Sequence, residues 1–121
     1  MQFAQKNFYK KLLGRVGENK ASAYLKKQGF EILERNYKNA FGEIDIIAKD
    51  GEYTVFVEVK TRTSEQFGTP AEAVNDKKRQ KYFRIAEAYL NFKGLCDVPC
   101  RFDVVEVEND GINHIKDAFS R

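Results

Sequence analysis

Residues 42–62 read GEIDIIAKDGEYTVFVEVKTR, two apolar runs separated by Asp50-Gly51. Asp-Gly between alternating apolar runs is the strongest short-range signal for a β-hairpin. With Asp50-Gly51 as a two-residue turn, Lys49 opposes Glu52, Ile47 opposes Thr54, Asp45 opposes Phe56 and Glu43 opposes Glu58. Opposed residues share a face of the sheet, and so does every second residue along a strand. That register puts Glu43, Asp45, Phe56, Glu58 and Lys60 on one side. Ile44, Ile46, Ala48, Val55, Val57 and Val59 fall on the other, which reads as core. A turn one residue longer would send Asp45 and Glu58 to opposite faces.

The flanking segments complete the fold. From about Asn7 to Gln28, Leu13, Gly17, Ala21, Tyr24 and Leu25 recur at helical spacing, and Gly29 is placed to cap the helix. Gly14 and Gly17 each cost about 1 kcal/mol relative to Ala inside a helix, which points to a close backbone approach. FEILERNY (30–37) reads as a strand and TSEQFGT (63–69) as a mobile loop. TPAE (69–72) is a helix start, with Thr69 as cap, Pro70 in the first turn and Glu72 closing a capping box. The helix restarts near Asn75 and Asp76 and runs to about Lys93, with Phe83, Ala86 and Leu90 facing inward. RFDVVEVE (101–108) is a strand, and Asn109-Asp110-Gly111 turns into a last one, INHIKDAF (112–119). The order helix, three strands, helix, two strands predicts a mixed α/β (α+β) fold with helices packed on one sheet.

A chain of 121 residues, 42% hydrophobic and 32% charged, is expected to be one globular domain over 1–121. No apolar run approaches the roughly 18 residues of a membrane span. The N-terminal residues lack the pattern of a secretory signal, so a cytoplasmic location is expected. Cys96 and Cys100, with the single His114, are too few for a structural zinc site and are expected to be reduced, partly buried thiols. The net charge of +3 does not by itself announce a polyanion partner. Its distribution is more telling: KKRQKYFR (77–84) is strongly basic, whereas 103–110 is acidic. A basic run of this kind is commonly a solvated helix face, and binds phosphate where it borders a site.

In the hairpin register, Asp45 and Glu58 are diagonal neighbours with backbones roughly 7–8 Å apart, near enough to converge on one ion. Two close carboxylates repel unless something positive lies between them. Mg²⁺ suits such a pair, because it takes about six oxygen ligands and keeps several as water. Lys60, on the same face, is placed to polarise a water or stabilise a developing oxyanion. The plainer alternative is an ordinary solvent-exposed strand face, on which Glu opposite Lys is commonplace.

GEID, followed thirteen residues after Asp45 by EVK, resembles the metal site of the PD-(D/E)xK nuclease superfamily. More closely, GRVGENKASAYLKKQGFEILERNY, GEIDIIAKDG, VFVEVKTR, FGTPAEAV and RFDVVEV together resemble the YraN-like family of bacterial proteins, from about Gly14 to Val107. The resemblance implies a restriction-endonuclease-like core related to archaeal Holliday junction resolvases. It also implies Mg²⁺, for which Mn²⁺ can substitute, held by Asp45 and Glu58, with Lys60 as the catalytic lysine. Glu18 matches an additional acid of the resolvase group, although a helical Glu is most often simply solvated. Gln80 matches a Lys or Gln placed near the scissile phosphate, with a surface glutamine as its alternative.

The superfamily's Pro-Asp is absent, since Ile44 precedes Asp45. Glu43 is left as a ligand, an outlying acid or a partner for Arg62. The expected substrate is DNA, including branched DNA, with phosphate contacts from Arg15, Arg35, Arg62, Lys77, Lys78, Arg79, Lys81 and Arg84. Junction substrates would call for a homodimer. The competing expectation is a nuclease-fold binding module without turnover.

Overall fold

The computed structural model describes residues 3–62 and 76–120, with side chains from Lys11 onward. The loop expected at 63–69 and the Thr69–Glu72 capping box lie outside the described residues. The elements are α1 (Phe3–Lys27), β1 (Glu31–Asn39), β2 (Gly42–Asp50), β3 (Tyr53–Thr61), α2 (Asp76–Lys93), β4 (Cys100–Glu108) and β5 (Gly111–Phe119). This is the expected order of elements. The five strands form one sheet in the order β1-β2-β3-β4-β5, antiparallel except for the parallel pair β3–β4. Parallel neighbours need a crossover, and the connection from β3 to β4 carries α2. Among the described residues no helix is long and apolar enough to cross a membrane.

Both faces of the sheet are core, which corrects the expectation of one apolar and one polar face. Ala21, Leu25 and Phe30 pack on Ile46, Ala48, Val55, Val57, Val105 and Val107. On the other face Tyr82, Phe83, Ile85, Ala86 and Tyr89 of α2 pack on Ile47, Phe56, Phe102, Val104 and Phe119. Alternation along a strand therefore separates two buried layers, as central strands covered on both sides require. Only where the cover ends can a strand carboxylate meet water.

The turn also lies one residue further along than expected. Asp50 pairs with Tyr53, so the two-residue turn is Gly51-Glu52, and Ile47 opposes Phe56. Gly51 takes φ +60°, as the first central residue of a type II′ turn must. The pairing moves by two residues, so face parity survives along most of β2. It breaks at one place. Asn36 in β1 takes φ +53°, between the pairs Arg35–Ile46 and Tyr37–Ile44. Asp45 therefore stands opposite a left-handed residue, and Ile44 packs with the α2 layer rather than with Ile46.

The end of α1 follows from its sequence. The Phe30 N–H donates to the Leu25 carbonyl at 2.9 Å and the Gly29 N–H to that of Lys26 at 3.0 Å. With Gly29 at φ +96°, this is a Schellman cap, and its apolar pair Leu25–Phe30 is buried. Of the two internal glycines, only Gly17 has a close neighbour among the described residues: a Cβ there would overlap Thr61 Oγ1, while one at Gly14 would meet none of them. Gly17→Ala is accordingly expected to lower stability by about 2 kcal/mol in urea unfolding, as overpacking typically does. Thr61→Ala in the same chain should recover part of that loss. Simple additivity of the two substitutions would refute the contact.

Candidate functional site

The pairing of β2 with β3 ends at Ile46–Val57, and past it the strands part. There the Val59 N–H donates to Asp45 Oδ2 at 2.8 Å, so a carboxylate takes the amide in place of a ladder carbonyl. Glu58 and Lys60 follow Phe56 at alternate positions and point to the α2 side. Lys60 Nζ and Lys78 Nζ each lie 3.0 Å from Glu58 Oε1, and the Tyr82 hydroxyl donates to Glu58 Oε2. On the other side, Glu18 of α1 is near enough for its charge to act on Asp45. Glu18, Asp45 and Glu58 thus form a chain of acids through the opening between the strands, with Asp45 in the middle.

The charges in this chain are unevenly compensated. Burial alone would raise the Glu58 carboxyl, but the Tyr82 hydroxyl and the Lys60 and Lys78 ammonium groups outweigh it and hold the carboxyl below its usual range. For Asp45 the balance falls the other way. Burial first, then the charges of Glu58 and Glu18, push its carboxyl up to about 7 against the opposing Val59 N–H. Lys60 is lowered, by burial and by Lys78 beside it, and Tyr82 is raised by burial and the Glu58 charge, so its hydroxyl stays a donor.

Neighbouring carboxylates repel one another unless a proton or a cation lies between them. The oxygen-only donors are those a hard divalent ion prefers, and in this respect the residues fit Mg²⁺. No three His, Cys, Asp or Glu side chains among the described residues are gathered tightly enough to surround an ion. With the side chains as they stand, a bound ion would therefore rest on Asp45, one neighbouring acid and water.

The remaining candidates are dispersed. Gln80 is exposed on α2, as are Lys77, Lys81 and Arg84. Lys78 belongs to the Glu58 cluster. Arg79 lies over the Phe119 ring at 5.7 Å, and 3.8 Å from Asp76. Arg15 is exposed on α1, and Arg35 donates to Asn19 Oδ1 at 2.8 Å. Arg62 is tied to Glu106 at 2.9 Å, which takes it from the free phosphate-binding set, and Glu43 is neither its partner nor opposite Glu58. Instead Glu43 pairs across the strands with Lys38, at 3.8 Å and in solvent. Cys96 and Cys100 form no disulfide and are exposed rather than partly buried.

Sequence reasoning overlooked Tyr82 and the inward turn of Lys78. Their spacing of four in a helix places them on one face, which was the available signal. It also passed over a buried network behind α1. There Asp103 accepts from Arg101 Nε at 3.0 Å and the Asp117 N–H at 3.0 Å, and lies 2.8 Å from His114 Nε2. Arg101 continues to Asp50 at 2.8 Å, and His114 Nδ1 to the Tyr24 hydroxyl at 3.2 Å.

The model of the uncharacterised protein family UPF0102 matches residues 17–107, a span holding Glu18, Asp45, Glu58 and Lys60. The chain is 49% identical over 112 residues to a UPF0102 protein of Moorella thermoacetica, covering 88% of this chain and 93% of that one. It is 46% identical over 111 residues to one of Hahella chejuensis, covering 89% and 90%. With one of Caldanaerobacter subterraneus subsp. tengcongensis it shares 46% over 121 residues, covering 94% and 99%.

Proposed function

The chain belongs to the uncharacterised protein family UPF0102, and we propose that it is a Mg²⁺-dependent nuclease that hydrolyses phosphodiester bonds in DNA. The observation that carries this reading is the Glu18–Asp45–Glu58 chain of acids with Lys60, gathered where β2 and β3 part and bordered by the basic start of α2. Asp45, Glu58 and Glu18 would hold the ion, which when bound lowers the pKa of a water and neutralises phosphate charge. Hydrolysis forms a bond from the water oxygen to phosphorus and breaks the bond to the leaving sugar oxygen. A proton leaves the water and one is delivered to that oxygen. Lys60, half-buried and anchored on Glu58, orients the attacking water and offsets negative charge on the phosphate. Tyr82 and Lys78 fix the Glu58 rotamer. Lys77, Lys81 and Arg84 supply phosphate contacts without reading sequence. Branched DNA, cut by a homodimer in two strands, is the substrate that the resolvase resemblance favours.

Purified chain incubated with Mn²⁺ and linear, flapped and four-way DNA should cleave at least one, and Lys60→Ala should slow cleavage at least a hundredfold, the low end for loss of a charge-stabilising donor. Cleavage that survives Lys60→Ala would sink this assignment. One observation favours a second reading, a binding module without turnover: both Glu58 oxygens are already engaged, by two ammonium groups and a phenol. Calorimetric titration of Mg²⁺ or Mn²⁺ separates the two. Binding by wild type that is lost in Asp45→Ala supports the nuclease, and no binding by wild type supports the module.

A further inference from the structure

The β1–β2 connection lies at the same end of the sheet as Glu58 and Lys60, because β2 begins where antiparallel β3 ends. It is held tightly to α2. Asn39 Nδ2 donates to the Ile85 carbonyl at 3.2 Å, and the Phe41 N–H donates to Asn39 Oδ1 at 2.9 Å. Gly42, at φ +145°, approaches so closely that a Cβ would stand 2.6 Å from Lys81 Cε and 3.1 Å from Ile85 Cδ1. On this fixed backbone the Phe41 side chain is 47% exposed. Beside it opens a cavity of about 360 Å³ lined by Phe41, Arg84, Glu87, Ala88 and Asn91. Arg84 is exposed and shares that cavity with Phe41, and Lys81, also exposed, lies against Gly42, the next residue of the turn.

A large aromatic held out in water on an anchored turn exposes apolar area for no folding gain. It suits a ligand that brings a flat apolar face, and the ordering entropy of the platform has already been met in the folded chain. The adjacent cations select a ligand whose flat groups are joined by negative charge. Nucleic acid has that chemistry, and in a duplex both faces of each base are covered by its neighbours, so only an unpaired base can present one.

We propose that Phe41 is a stacking platform for one unpaired nucleobase, with Lys81 and Arg84 taking the flanking phosphates, so that the substrate is single-stranded or branched nucleic acid. This rests on the nucleic-acid reading of that end of the sheet and narrows its substrate class.

Fluorescence anisotropy in EDTA tests it without reference to cleavage, using a labelled oligothymidine and a duplex of equal length. Phe41→Ala should weaken oligothymidine binding roughly tenfold, within the range for loss of one base–aromatic stack. Duplex binding should stay within about twofold, since phosphate contacts remain, and Phe41→Trp should restore the single-strand affinity. Unchanged oligothymidine affinity in Phe41→Ala, an equal loss on both probes, or no oligothymidine binding by wild type overturns the proposal. Metal-dependent cleavage with an unaffected Phe41→Ala would leave the nuclease standing and the platform refuted. The reverse pattern refutes the nuclease alone.

Discussion

Asp103→Ala is expected to lower the unfolding free energy by about 3–5 kcal/mol at neutral pH, the usual cost of removing one partner from a buried ion pair. Asp103 is 0% exposed. It accepts from the Arg101 guanidinium and the Asp117 N–H and lies against His114. Alanine leaves those groups without their acceptor. Asp117, at φ +53°, is where β5 bulges against β4, so losing its acceptor should also loosen that edge. His114→Ala should cost less, since Arg101 keeps both carboxylates. The Asp103 carboxyl is held below its ordinary value: burial opposes this, but His114, Arg101 and the Asp117 amide prevail. Its contribution is therefore present above the unfolded pKa and is lost as pH falls through the folded one. Urea midpoints at pH 7 measure the effect, and a loss under about 1 kcal/mol, no more than a surface pair is worth, would remove the network from the account of stability.

The second large effect has the opposite sign in pH. With its carboxyl raised from 3.8 to about 7, Asp45 in the folded chain holds a proton that the unfolded chain has already released. Stability of the metal-free protein should fall as pH rises from about 4 to about 7, then level off. Asp45→Asn keeps an oxygen for the Val59 N–H and has no proton to lose. It should match wild type near pH 4 and exceed it above pH 7 by on the order of 4 kcal/mol, at about 1.4 kcal/mol per pKa unit. Urea unfolding in EDTA across that range reads the difference directly, and parallel curves would contradict it. At high pH a divalent cation should restore wild type and leave the asparagine variant unmoved.

The elements and their order were legible because each is announced locally. Gly29 caps α1, Asp50-Gly51 signals a hairpin, and apolar spacing changes from helical to alternating between Leu25 and Ile32. Glu58 and Lys60 were legible as a pair because their parity survives a two-residue displacement of the turn, whereas the break in parity at Asp45 was not. The exact turn was not, since Asp50-Gly51 and Gly51-Glu52 both place a glycine where φ must be positive. The buried nature of the second face was not legible either. Ile47 and Phe56 read as interruptions of a polar face until α2 covers them.

By itself the sequence determined the succession of helices and strands, the parity of the carboxylates along most of two strands, and the basic start of α2. Those are properties of neighbours along the chain, set by backbone periodicity and side-chain size. Tertiary structure alone decided where β2 leaves β3, which brings Glu18 from one face and Glu58 from the other to Asp45. It also gave Lys78 and Tyr82 to Glu58, Arg62 to Glu106, and Asp103 to Arg101 and His114. These partners lie far apart in the chain, and a charge is paired by distance and by the loss of water around it, neither of which spacing along one strand records.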